Sequence, residues 1–473
     1  MRKCILKSFQ RTCVLIVPLF ISINIGFCSD TMPVKPKITE TPLPAEVQLP
    51  APPSIPADIP NRPLTADEAA AVALYHQPNI TAAKAGVTAA VGKVQQAQSG
   101  LLPSLSTGAG YTNTVISHTT AGSSDGIGTS DGFKLTANLN QLLFDFNHTR
   151  DLVRQANAQQ KSANAGLEKT QSDVIYQVKQ AFYNYSQNLR LIEVNESNLK
   201  NQQNHLASAQ AKVDAGLGLP MDVVRAQTAV ADATLNLTIA RNNASIARVN
   251  MAQLMGIDPR TPIEIADSGE PSEQADDLNA LVDLAMTKRP EVKQAEHSIS
   301  AAGYGVQAAK TSNSPAVSAD LGWLGKGSTL STDHDSLAYG ITVTWTLFDS
   351  GYTKGRVTEA NANLQTVQAQ METVKNTVTS DVSQAYLNLK TAEQRITTAS
   401  AEVSNAEEAT RLAEGRYSSG LGTFLDVLDA QNALLTAKTN QVNAESALSV
   451  ARAGLSHATG SSVAKFQGEQ MPK

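Results

Sequence analysis

Residues 339–349 read Tyr-Gly-Ile-Thr-Val-Thr-Trp-Thr-Leu-Phe-Asp. Tyr339, Ile341, Val343, Trp345 and Leu347 alternate with Gly340, Thr342, Thr344 and Thr346, which predicts a strand with one apolar and one small or polar face. The last three residues, Leu347-Phe348-Asp349, also occur as Leu143-Phe144-Asp145, a separation of 204 (347 minus 143). The same offset joins Asp222-Val223 to Asp426-Val427, Ala226-Gln227 to Ala430-Gln431, and Gly256 to Gly460. The chain reads as a tandem duplication. Upstream the offset becomes 212, pairing Pro78 with Pro290, Pro103 with Pro315 and Tyr111 with Trp323, so the first copy carries about eight extra residues between 112 and 134, in a predicted surface loop.

The first copy keeps the phase of the strand, with Leu135, Ala137 and Leu139 against Thr136, Asn138 and Asn140; weaker alternation runs through 105–111 and 317–323. Each copy is therefore expected to supply a hairpin, its loop rich in Gly, Ser, Thr and Asp at 113–132 or 325–336. A sheet in a soluble sandwich is the plainer reading of the same pattern. The segments 151–215 and 355–419 contain no proline and predict helices that at ~1.5 Å per residue would reach roughly 100 Å. Val174, Val178, Ala181, Tyr185, Ile192 and Leu199 match Val378, Val382, Ala385, Leu389, Ile396 and Val403 as a heptad-like seam. Shorter helices are expected at 65–100, 221–255, 280–310 and 425–458.

Basic Arg2, Lys3, Lys7 and Arg11 precede an apolar run from Val14 to Ile23, the pattern of a secretory signal too short to span a membrane. All three cysteines, Cys4, Cys13 and Cys28, lie in this segment, which excludes a disulfide framework from the mature chain. Cys28 is either a lipid-modified first residue or, with Gly26, a small residue of plain cleavage. The expected organisation is signal peptide 1–28, Pro-rich tether 29–63, first repeat 64–265, linker 266–279, second repeat 280–460 and tail 461–473. With a net charge of −5 and no concentrated basic run, nucleic-acid binding has little support. The seven histidines lack metal-ligand spacing, and no paired carboxylate, nucleophile elbow or phosphate loop appears in a suitable context; the expectation is a non-enzyme without cofactor or metal.

Four strands cannot close a membrane barrel, whose smallest known form has about eight, so an apolar-faced sheet of this size needs other copies of the chain. Leu64-Thr-Ala-Asp-Glu-Ala with Pro78, Gly100-Leu-Leu-Pro-Ser-Leu, the doubled Leu-Phe-Asp and Gly420-Leu-Gly-Thr-Phe-Leu-Asp-Val-Leu-Asp-Ala-Gln together resemble the TolC-type outer membrane efflux proteins, from Leu64 to Gly460. The resemblance implies a mostly α chain whose homotrimer forms a twelve-stranded membrane β-barrel and a coiled-coil helical tunnel. It also implies a place in the outer membrane of a Gram-negative bacterium. There the channel would meet a periplasmic adaptor and an inner membrane transporter, for efflux or type I secretion. A structural or adhesive coiled-coil protein of the cell envelope is the competing reading.

The sites are expected where the long helices turn. Gly216 and Gly420 suit helix C-caps and Pro220 suits a helix start. They are either turn formers only or, as the resemblance implies, adaptor-docking tips together with Leu217 and Leu421. Asp426 and Asp429, three apart just inside the turn, read either as first-turn acids favoured by the helix dipole or as entrance carboxylate rings selecting cations. The resemblance favours rings. It also implies a latch between Tyr417 and Asp222, while the family's latch arginine falls at Gly422, which has no side chain.

Overall fold

A computed structural model of the protein describes residues 62–117, 127–266, 277–327 and 334–461. The expected signal peptide with Cys28, nearly all of the tether, most of the linker and most of the tail lie outside the described residues. Within them the chain runs twice through one order. The first pass is α1 (Ala66–His76), α2 (Pro78–Ser99), β1 (Ser104–Ser117), β2 (Ile127–Phe144), α3 (His148–Asp214) and α4 (Pro220–Met255). The second is α5 (Leu278–Lys288), α6 (Pro290–Thr311), β3 (Ala316–Gly327), β4 (His334–Thr344), α7 (Tyr352–Ser418) and α8 (Phe424–Ala458).

Two expected helices are each two. Pro78 and Pro290 remove a helical N–H and hold Gln77 and Arg289 extended, with ψ of 120° and 130°, so the continuous segments predicted at 65–100 and 280–310 break there. Each proline then opens the next helix at its first turn, where a missing donor costs nothing. The hairpin strands reach further into the loops than expected, to Ser117 and from Ile127 in the first copy, and to Gly327 and from His334 in the second. β4 stops earlier than the alternation suggests: Trp345, Thr346 and Leu347 lie beyond it. The last β3–β4 pair is Ala316 with Thr344, and β3 is preceded by Pro315, which has no N–H to continue the ladder.

The sheet is antiparallel in the order β1-β2-β3-β4, leaving β1 and β4 as edges. Leu105 opposes Leu139, which opposes Leu321, which opposes Tyr339. Tyr111 opposes Phe133, Ala137 opposes Trp323, and Val317 opposes Val343. Opposed residues share a face, so these positions form one apolar surface; the alternate positions, including Ser106, Asn138, Asn140, Asp320, Thr342 and Thr344, form a polar one. Among the described residues nothing covers the apolar face: Leu105 is 70% exposed, Tyr339 83% and Ile341 71%.

The Leu-Phe-Asp repeats mark the passage from strand to long helix. Phe146 and Asn147, then Ser350 and Gly351, hold positive φ, reversing the chain. The aspartate oxygens satisfy the exposed helix donors: Asp145 Oδ2 accepts from Thr149 N at 2.7 Å, and Asp349 Oδ2 from Thr353 N at 2.8 Å. Both long helices have 67 residues. α3 packs against α4 and α8, and α7 against α8, giving the lateral order α4-α3-α8-α7. The expected seams lie in this packing, with Val174, Val178, Tyr185, Val378, Val382 and Leu389 buried. Among the described residues no helix is long and apolar enough to cross a membrane.

Candidate functional site at the helix tips

The two hairpins, α3–α4 and α7–α8, turn through the same backbone device. Gly216 and Gly420 both have φ of 72°. Gly216 N donates to Val213 O at 2.9 Å and Leu217 N to Lys212 O at 2.8 Å; Gly420 N donates to Tyr417 O at 3.2 Å and Leu421 N to Arg416 O at 2.8 Å. These are Schellman motifs, in which glycine takes the left-handed position without a Cβ penalty. Each motif leaves a leucine projecting into solvent, Leu217 at 84% exposed and Leu421 at 76%, with Leu219 and Met221 also exposed. The absent side chain at Gly422 has a local reason: a Cβ there would meet Arg416 Cβ at 3.0 Å, as one at Gly218 would meet Lys212 Cβ at 2.9 Å. With this turn geometry a side chain at either position would crowd the preceding helix, so the loop or the helix would have to shift.

Re-entry differs between the hairpins. Pro220 opens α4 with no side-chain cap, whereas α8 opens on a capping box: Asp426 N donates to Thr423 Oγ1 at 3.2 Å and Thr423 N donates to Asp426 Oδ2 at 2.9 Å. The Thr423 backbone N–H, then the Thr423 side chain, hold the Asp426 carboxyl below its usual range, with a weaker pull from Arg416. Asp426 thus caps a helix, as the plainer reading of a first-turn acid requires, and it also stays exposed to solvent. Asp429 is exposed one turn further along α8, at the position that Arg225 occupies in α4.

Tyr417 packs at the meeting of the hairpins. Its ring centroid lies 5.4 Å from that of Phe424, which is buried with Ala209, Val223 and Ala226 in a small core completed by Leu206, Val213 and Leu428. Burial, and then the Asp222 carboxylate, push its phenol up. No hydrogen bond joins the Tyr417 hydroxyl to Asp222 among the described residues. What touches Tyr417 instead is Lys212, whose Nζ stands 3.6 Å from the ring centroid and donates to Tyr417 O at 3.1 Å.

Above this core lies a polar layer unforeseen from sequence. Gln202 Nε2 donates to Gln431 Oε1 at 2.9 Å, Gln431 Nε2 donates to Glu414 Oε1 at 3.2 Å, and His205 contacts Gln431 and lies 3.4 Å from Glu414 Oε1. Burial holds the His205 imidazole below its usual value, and Glu414 opposes that shift. The sequence signal available was the repeated Ala-Gln pair at 226–227 and 430–431, whose second glutamine is buried here.

Comparison with known proteins places this arrangement. The family model for outer membrane efflux proteins matches residues 70–257 and 281–461, one span in each half of the chain. Outer membrane efflux protein BepC of Brucella suis is 25% identical over 340 residues, covering 70% of this chain and 73% of its own. TolC of Escherichia coli is 24% identical over 390 residues, covering 78% of this chain and 76% of its own. Among solved structures, VceC of Vibrio cholerae shares the fold with a TM-score of 0.74 at 23% identity, over 84% of this chain and 96% of that one. These matches give the adhesive coiled-coil reading no support. The exposed apolar sheet, the doubled long-helix hairpins and the family model agree: this chain belongs to the outer membrane efflux protein family and is an efflux channel of the outer membrane.

Proposed function

We propose that three copies of the chain, each a tandem duplication, close their four-stranded sheets edge to edge, β4 of one against β1 of the next, into a twelve-stranded barrel (three times four). The observation that carries this is the sheet itself: two unpaired edges, one continuous apolar face and an opposite polar face. An exposed edge with an apolar face is an aggregation hazard in water and a barrel wall in lipid. The helices support the same closure, since α4 leaves Leu235, Ile239 and Ile246 exposed at the free side of the order α4-α3-α8-α7, where α7 of the next copy would lie. The conduit then receives cargo from an inner membrane transporter through a periplasmic adaptor that docks at the tips, on Gly216, Leu217, Gly420 and Leu421. Cys28 is a candidate lipid anchor subsidiary to the barrel.

Asp426 and Asp429, three copies of each, form the cation-selecting entrance in this reading, and Tyr417 with Asp222 marks the gate. Asp426 serves both roles, because its capping bond uses one face of a carboxylate that remains open to solvent. The barrel is tested by a pair of substitutions on β4. Ile341→Arg puts a charge on the lipid face away from the ends of β4 and should impair assembly by roughly 2 to 4 kcal/mol per site if it lies near the midplane, whereas Thr342→Arg, facing the lumen, should be tolerated. Trimer yield in detergent, read by heat-modified mobility, decides it; equal damage from both removes the assignment of faces.

A further inference from the structure

We infer that Lys212 holds the closed entrance by clasping Tyr417 across the two hairpins, through the ring face and the backbone carbonyl and not through the phenol hydroxyl; this rests on the channel reading above. The contact spans α3 to α7, 205 residues apart in the chain, with Nζ at 3.6 Å from the ring centroid and 3.1 Å from Tyr417 O. Both acceptors suit an ammonium. The aromatic face carries negative charge density, and a carbonyl in the last turn of α7 sits at the negative end of a helix dipole. The backbone that carries the side chain is fixed as well, because the Lys212 carbonyl accepts Leu217 N–H at 2.8 Å in the α3 cap. The equivalent residue of the second hairpin, Arg416, stays at home, reaching Leu421 O at 3.5 Å within its own loop.

The tip core beneath the clasp is small, with Ala209, Val223, Ala226 and Phe424 as its buried members. A cation seated on a ring loses its attraction once the hairpins separate by a few ångströms, so spreading the tips breaks the clasp directly. The Tyr417 hydroxyl takes no part in either contact.

Single-channel conductance of the full trimer in planar bilayers separates this clasp from a phenol–carboxylate latch. Lys212→Met, which keeps the aliphatic stem, should raise conductance about three- to tenfold. Lys212→Arg and Tyr417→Phe should stay near wild type, since both preserve a cation on a ring. Tyr417→Leu should open as Lys212→Met does, and supplies the reading if the methionine variant does not assemble. Wild-type conductance in Lys212→Met, or in Tyr417→Leu where that supplies the reading, overturns the clasp. So does a Tyr417→Phe channel as open as Lys212→Met, because the hydroxyl would then be the fastening. A wild-type trimer that forms no pore overturns the channel reading instead, and the gate with it.

Discussion

At equivalent places the two hairpins share a backbone and differ in side chains. Gly216 and Gly420 share one φ, and the same two cap hydrogen bonds close both helices. Around that frame Lys212 corresponds to Arg416, Val213 to Tyr417, Leu219 to Thr423, Pro220 to Phe424 and Arg225 to Asp429. The first hairpin therefore starts its return helix with a rigid ring and spends its cation on the neighbour. The second starts with a capping box and offers the ring on which that cation sits. A left-handed cap favours glycine for a local reason, the missing Cβ penalty, whereas the side chains around it are free to divide labour where the two hairpins pack side by side.

The largest test of that shared frame lies at the other ends of α4 and α8, where Gly256 and Gly460 have φ of 73° and 74°. Alanine at either pays about 1 to 2 kcal/mol for the left-handed backbone. The surroundings then differ: a Cβ at 256 would stand 2.6 Å from His76 O, and one at 460 would stand 3.1 Å from Arg289 N. Backbone oxygen cannot step aside, so Gly256→Ala should lose about 2 to 5 kcal/mol in all against about 1 to 3 for Gly460→Ala. Thermal denaturation of the detergent-solubilised protein measures both. Equal losses would show that the two halves are closer copies here than their contacts indicate.

A smaller effect on stability and a larger one on function are expected at the start of α8. Thr423→Ala removes the cap and should cost roughly 1 kcal/mol, with no counterpart at Leu219. Asp426→Asn with Asp429→Asn keeps an acceptor for the Thr423 N–H while removing both charges. That double variant should retain the helix start yet lose cation preference and block by trivalent cations in planar bilayers. Unchanged selectivity would leave Asp426 as a helix cap and nothing more.

Much of this was legible in the sequence because it is periodic or local. The seam through Val178, Tyr185, Val382 and Leu389 follows from heptad spacing, and the alternation through Tyr339 and Val343 fixes both faces of the sheet. The breaks at Pro78 and Pro290 are equally local, yet the spans 65–100 and 280–310 predict continuous helix, since apolar periodicity persists across a proline whose preceding residue must leave the helix. Asp145 and Asp349 repeat conspicuously, but their capping spans two left-handed residues, a geometry that no fixed cap spacing announces. Lys212 on Tyr417 and His205 beside Gln431 lie out of reach for another reason: each joins residues more than 200 positions apart, brought together only where α3 packs on α8 and the two hairpin tips meet.

The polar layer carries the smallest effect and the sharpest contrast between the copies, because it is built once. His205, Gln202 and Glu414 correspond to Ala409, Ala406 and Gln210, so no second layer exists at the repeat-related place. Burial lowers the His205 value from 6.5, which means that unfolding or spreading of the tips takes up protons. Its contribution is therefore full above about pH 6.5 and is lost as pH falls through the lower, folded value. Limited proteolysis at the exposed Leu217 and Leu421 turns, followed from about pH 7.5 to about 5.5, should quicken on the acid side. His205→Gln should flatten that dependence. Glu414→Gln should steepen it, because Glu414 is the group that favours the charged imidazole, and its loss lowers the folded value further. Parallel pH profiles in all three proteins would place the acid sensitivity elsewhere, leaving the layer as packing between hairpins.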